Sequence, residues 1–214
     1  MNIADLESFK QLKKAKKWRL IAYILILVIL IGHLPFLKFI TIIYILHLGL
    51  ISTLYNVPEK AYKKSLFPLR SIPLLKVFLI AYVWASVSAI LPIIDLDKSL
   101  NLQNVPVFLM QFLFILSITL PFDIRDFRTD YKKRIITTPH VIGIKATKTL
   151  ALLSLLAFNL LFIHITGSWI ILYLTLIAGS LIVFSNPARK DHYFTFFMDG
   201  TIIIYFILVL FFKS

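Results

Sequence analysis

The chain has 214 residues and no cysteine, which excludes a disulfide framework, a thiolate metal site and a cysteine nucleophile, while leaving the compartment open. Acids are scarce as well. Ten Asp and Glu stand against 23 Lys and Arg, a formal net charge of +13. No low-complexity linker interrupts the sequence, and no polar stretch is long enough to form a separate soluble domain. A signal peptide is not expected either: the start "MNIADLESFKQLKKAKKWRL" is basic, but the apolar run after it is long and lacks a small-x-small cleavage site.

What the chain does have is apolar residues, at 59% of the total and a mean hydropathy of +0.89. One soluble core of this size cannot bury them, so the expected class is an all-α integral membrane protein. Seven apolar segments approach or exceed the length needed to cross a hydrocarbon core of about 30 Å, near residues 18–34, 36–55, 73–94, 106–122, 146–165, 168–185 and 195–212. The first two are separated by "HLPF", which favours a tight helical hairpin at Pro35. Seven spans put the termini on opposite sides. On that assignment 20 Lys and Arg fall on the side of the N-terminus and three, Lys38, Lys98 and Lys213, on the other.

This split follows the positive-inside rule and predicts a cytoplasmic N-terminus and cytoplasmic loops 56–72, 123–145 and 186–194 in a cell (inner) membrane. The expected organisation is one membrane domain over 1–214, with a basic segment 1–17 and a helix bundle over 18–212. Topology and anionic membrane lipid account for the positive charge. Nucleic acid is not an expected partner, because the basic residues are divided among four juxtamembrane segments and form no single stripe.

Against this background one stretch is unusual. "DIRDFRTD", residues 123–130, follows the uncharged run "VPVFLMQFLFILSITLPF" and gathers Asp123, Asp126 and Asp130 with Arg125 and Arg128. If helix continues past Pro121, the three carboxylates stand at i, i+3 and i+7 and share one face. Such a strip suits a hard cation, and Mg²⁺ in particular is held by one or two carboxylates, waters and phosphate oxygens. The following "YKKRIITTPHVIG" supplies Lys132, Lys133 and Arg134 as phosphate-neutralising cations, and Thr137 and Thr138 as donors. The simpler reading is a solvated helix end whose charge pairs contribute a few tenths of a kcal/mol each.

The string "DIRDFRTDYKKRIITTPHVIGIKATK" resembles the second aspartate-rich motif of UbiA-type intramembrane prenyltransferases, in which DxxDxxxD precedes a basic stretch, a "TLPV"-like segment and a Gly. "LYNVPEKAYKKSLFPLRSIPLLKVF" is similar to the family's cytoplasmic loop carrying a Tyr and basic residues. The resemblance implies Mg²⁺ at Asp123, Asp126 and Asp130, and an isoprenoid diphosphate held with help from Lys60, Arg70, Lys132 and Lys133. It also implies nine helices and an earlier NDxxDxxxD motif. The seven spans here align with the last seven, and no NDxxDxxxD occurs, so a homo- or hetero-oligomeric partner is one expected source of the missing charge.

Two functions follow from the resemblance: transfer of a prenyl group to an acceptor, or a non-catalytic member that binds an isoprenoid lipid or a membrane partner. Asp191 and Asp199 are accessory candidates, with His192 beside the first. His33, His47 and His164 have no mutual spacing and are not read as metal ligands. Gln111 and Asn159, polar within apolar spans, are expected to hydrogen-bond between helices. A seven-helix channel or receptor fits less well, since the last span has no internal lysine and the spans carry almost no charge.

Overall fold

The computed structural model describes residues 31–55, 74–96, 102–132 and 135–213, together with residues 18, 20, 21, 23–26, 28, 29 and 72. Among these the regular structure is entirely helical. Every backbone polar group inside a bilayer must be satisfied within its own segment, and the apolar runs of this sequence form helices accordingly. The seven helices are α1 (Tyr23–His33), α2 (Phe39–Tyr55), α3 (Leu75–Asp95), α4 (Val105–Lys132), α5 (Thr138–Thr166), α6 (Ile171–Phe184) and α7, which opens with a π-helical turn, Tyr193–Met198, and continues as Asp199–Lys213. Four of them, α3, α4, α5 and α7, are long and apolar enough to cross a membrane, and the other three are shorter apolar helices. The protein is thus an integral membrane helix bundle.

The described residues form two compact units, divided between Ile43 and Tyr44 within α2. In the first, a 3₁₀ turn at Leu34–Phe36 interrupts the helical path where Pro35 was expected to break it. In the second, α4 is central, lying along α5 and against α3, while α6 packs on α5 and α7 on α6. Small residues allow close approach: Ala81 and Ala85 on α3, Ala151 on α5 and Ala178 on α6 are fully buried. Phe114, Phe158, Phe162 and Tyr205 form an aromatic cluster between α4, α5 and α7. Large apolar side chains such as Leu160, Leu176 and Ile203 point outward, as lipid-facing positions do.

Both polar side chains singled out inside the spans bond between helices. Gln111 Nε2 donates to the Tyr205 hydroxyl at 2.9 Å, and Thr175 Oγ1 donates to Asn159 Oδ1 at 2.5 Å.

The boundaries differ from expectation at one place that matters. The expected loop 123–145 is mostly helix, because α4 runs on to Lys132 and α5 starts at Thr138. Hydropathy reads depth in the membrane, whereas the helix persists into the polar zone. Pro121 lies buried inside α4 without ending it, as proline in a membrane helix can when neighbouring helices pack around it.

Candidate functional site at the acidic end of α4

Because α4 continues past Pro121, Asp123, Asp126 and Asp130 do share a helical strip. Their surroundings differ sharply. Asp123 is 1% exposed and its Oδ1 accepts from Lys76 Nζ, on the first turn of α3, at 2.7 Å. Its Oδ2 is buried with no hydrogen-bond partner. Asp126 is half-buried and takes a two-pronged contact from its neighbour Arg125, Nε at 2.8 Å and Nη2 at 3.1 Å. Asp130 is half-buried, and its Oδ2 is likewise buried and without a partner.

Arg125 links this strip to the start of α7. Its guanidinium lies 5.0 Å from the Phe122 ring centroid and 5.8 Å from that of Phe194, and its Nε is 4.0 Å from Asp191 Oδ1. Asp191 itself is exposed, as is His192.

After α4, the Ile135 N–H donates to the Asp130 backbone carbonyl at 2.9 Å, and α5 starts at Thr138. Thr137 caps this helix in a reciprocal box with His140, whose Nδ1 accepts from the Thr137 backbone N–H at 3.2 Å. Accepting there places the imidazole proton on Nε2, which is buried and makes no hydrogen bond. The ring stacks on Phe127 of α4 at 4.3 Å. Thr138 is fully buried and its Oγ1 also has no partner. Two orphaned acceptors and two orphaned donor groups therefore occur around one helical turn-around. Orphaned buried polar atoms are uncommon in native structures and mark ligand or ion positions when they cluster.

Just inside the membrane from Asp123 is an apolar cavity of about 160 Å³ between α3, α4 and α7, lined by Ile80, Trp84, Ile115, Ile118, Thr119, Phe122, Asp199 and Ile202. Phe122 forms its wall on one side and underlies Arg125 on the other. Among the described residues Asp199 is its one ionisable lining group, and it stands where the π-turn of α7 gives way to α-helix. π-turns inside helices recur at functional sites.

A family model, the UbiA prenyltransferase family, matches residues 10–209. The chain belongs to the UbiA prenyltransferase family. No curated protein and no solved structure matches it. Of the residues that the resemblance assigns to this UbiA-family site, Lys132 is exposed in the last turn of α4, while Lys60, Arg70 and Lys133 lie outside the described residues. Most of the loop 56–72 does too.

Lys76 and His140 were missed as site residues in the sequence. Lys76 counts there only as one more basic residue, 47 positions from the aspartate it grips. For His140 the available signal was its place three residues after a Thr, where a capping partner sits.

The donor set fits a hard divalent cation that keeps waters and phosphate oxygens among its ligands. Among the described residues no group of three His, Asp or Glu side chains could hold a metal unaided. Mg²⁺ does not require one, because it keeps several waters and takes phosphate oxygens from a substrate alongside one or two carboxylates. The unpartnered Oδ2 atoms of Asp123 and Asp130 are the oxygens available for that.

Proposed function

We propose that this UbiA-family protein binds an isoprenoid diphosphate at the acidic end of α4 together with Mg²⁺, and transfers the prenyl group to an acceptor. The observation that carries the reading is the junction at Phe122 and Asp123, where an apolar cavity suited to a prenyl chain meets a buried carboxylate with an unpartnered oxygen. When bound, Mg²⁺ would offset charge on the diphosphate. Asp123, Asp126 and Asp130 would hold it. Lys132, with Lys60, Arg70 and Lys133, supplies further cations, and His140 Nε2–H and Thr138 Oγ1 offer neutral donors. In transfer the allylic C–O bond breaks with its electron pair on the diphosphate, the acceptor's nucleophilic atom bonds to the prenyl carbon, and the acceptor loses a proton. Charge builds on the leaving diphosphate, so donors fixed around it favour the step. The N-terminus and the acidic end of α4 face the cytoplasm in this reading.

A second reading is also supported by a specific observation: Asp123 and Asp126 are already engaged by Lys76 and Arg125. In that case the ion pairs close the bundle end, and the protein binds an isoprenoid lipid without turning it over.

Titration of the purified protein with farnesyl diphosphate, with and without Mg²⁺, tests the site. Affinity is expected to depend on Mg²⁺, and Asp130→Ala, which removes one of the unpartnered carboxylate oxygens, is expected to abolish that dependence. Binding indifferent to both would sink the metal-site reading. A radiolabel transfer assay separates the two functions: Mg²⁺-dependent binding without transfer to any acceptor tried would favour the non-catalytic reading.

A further inference from the structure

Away from the acidic end, polar side chains of two apolar helices meet at one place, with His47 exposed and Tyr44 and Tyr82 half-buried. His47, midway along α2, and Tyr82, in the first half of α3, meet with Nε2 3.3 Å from the phenol oxygen and their rings nearly perpendicular at 87°. The Tyr44 ring lies 6.1 Å from His47, and its hydroxyl stands beside those of Tyr82 and Ser86. Ser86 Oγ is buried and satisfies no hydrogen-bond geometry. A histidine and two tyrosines at this depth are costly unless something uses them.

Neighbouring residues of the same two helices line a groove. Between α2 and α3 is a cavity of about 130 Å³ lined by Ile51, Ser52, Leu79, Ile80, Val83 and Trp84. Ile51 is one helical turn from His47, and Leu79 and Val83 flank Tyr82 on α3. Ile80 and Trp84 face both this groove and the cavity beside Phe122, so α3 is a partition between the two.

The chemistry of the pair limits the occupant. In a neutral imidazole one nitrogen donates and the other accepts. If Nε2 accepts from Tyr82, Nδ1 carries a proton to offer. If Nε2 donates instead, Nδ1 accepts and the Tyr82 hydroxyl proton is released for another acceptor. Either arrangement presents hydrogen-bonding capacity in the apolar phase, where among the described residues His47 Nδ1 makes no hydrogen bond. Among the described residues no Lys, Arg, Asp or Glu lines the groove, and its walls match a neutral, apolar body. A concave slot of this volume suits a narrow hydrocarbon body better than the convex face of a second helix.

We propose that the α2–α3 groove binds a neutral membrane-soluble molecule with a hydroxyl or carbonyl head, the head held by His47 and Tyr82 and the hydrocarbon body lying along Ile51, Leu79 and Val83. The site is separate from the acidic strip and needs neither metal nor diphosphate. Its place across the α3 partition makes it a waiting position for a lipophilic molecule next to the larger cavity.

The test uses the full chain in phosphatidylcholine nanodiscs without Mg²⁺ or diphosphate. The probes are a long-chain alcohol with a mid-chain diazirine and the matching alkane lacking the hydroxyl. After irradiation, labelled peptides are mapped by mass spectrometry. The alcohol is expected to label the Ile51–Ser52 and Leu79–Trp84 segments above the alkane, and His47→Phe and Tyr82→Phe are each expected to reduce that preference roughly fivefold, as loss of one neutral hydrogen bond does. Helicity and gel filtration check both variants. If His47→Phe fails to fold, Tyr82→Phe, which deletes a single hydroxyl, decides the matter. Equal labelling by alcohol and alkane, or a preference that survives in the folded variants, overturns the proposal. Because the assay contains no diphosphate, its failure leaves the reading of the acidic end untouched.

Discussion

Removing the Asp123 carboxylate by Asp123→Leu tests how the acidic end is held. At 2.7 Å the Lys76–Asp123 pair has a gross attraction of about 6 kcal/mol for an effective dielectric constant of ~20. Desolvation cancels much of this, and breaking one side of a buried pair typically costs about 3–5 kcal/mol. The lower end applies here. The Lys76 side chain is 19% exposed and also feels Asp130, so it keeps some solvent and some counter-charge. We therefore expect about 3 kcal/mol of destabilisation from Asp123→Leu and a similar loss from Lys76→Met. The double variant is expected within about 1 kcal/mol of the parent, because a buried pair replaced by apolar groups of similar volume is often neutral. Denaturant unfolding in mixed micelles gives the coupling energy of the cycle, which these values put at roughly 5–7 kcal/mol, far above additivity error. Additive losses, with coupling under about 0.5 kcal/mol, would refute the buried-pair account. If the double variant folds yet no longer binds farnesyl diphosphate, Asp123 serves the ligand as well as the bundle.

Gly143→Ala is expected to destabilise by about 1–3 kcal/mol from backbone strain alone, since Gly143 sits at φ 82°, ψ 157° and nothing lies within 4 Å of an added Cβ. Gly49→Ala in α2, equally open but helical, is the control, and unfolding midpoints should move in opposite directions. Thr175→Val removes the α5–α6 bond to Asn159 and should cost ~0.6 kcal/mol, at most about 1.7, in the same assay. Arg125→Lys loses the two-pronged contact to Asp126 and the planar contact with Phe122 and Phe194. A cycle with Phe194→Leu should show coupling of about 0.5–1 kcal/mol, and zero coupling would mean that Arg125 does not tie α4 to α7.

The bundle was legible because membrane insertion leaves strong one-dimensional signals. Seven apolar runs and a lopsided distribution of Lys and Arg survive any ignorance of packing. Contacts confirm the consequence that α3, α4 and α7 bring basic or acidic ends together, through Lys76 with Asp123 and Arg125 near Asp191. Gln111 and Asn159 were legible for a related reason: an amide in an apolar span needs a partner, and a neighbouring helix is the nearest source. Helix ends were not legible, since the charged continuation of α4 to Lys132 looks like loop on a hydropathy scale. Nor was the His47–Tyr82 meeting, which joins residues 35 apart and depends on how α2 leans on α3. The motif glycine is the instructive case. The resemblance to the family marked a Gly after the "TLPV"-like segment, and the structure supplies the reason, a positive φ at Gly143 that kinks α5 after its first turn.

For the acidic strip, spacing alone left two explanations with the same pattern. A solvated helix end and a ligand-binding strip both place carboxylates at i, i+3 and i+7. They differ in burial, which spacing does not encode. A solvated face leaves its carboxylates in water and satisfies them there at no cost. Asp126 fits that description in part, being half-buried and held by an adjacent arginine. Asp123 does not: at 1% exposure, with one oxygen on Lys76 and the other unpartnered, it has lost its water without replacing all of it. Burying an ionised group incompletely satisfied costs stability, and Asp130 Oδ2 repeats the cost two helical turns along the same face. A helix end that merely needed solubility would place these side chains outward, and two burials on one strip therefore weigh toward a site that a cation and its phosphate ligand complete.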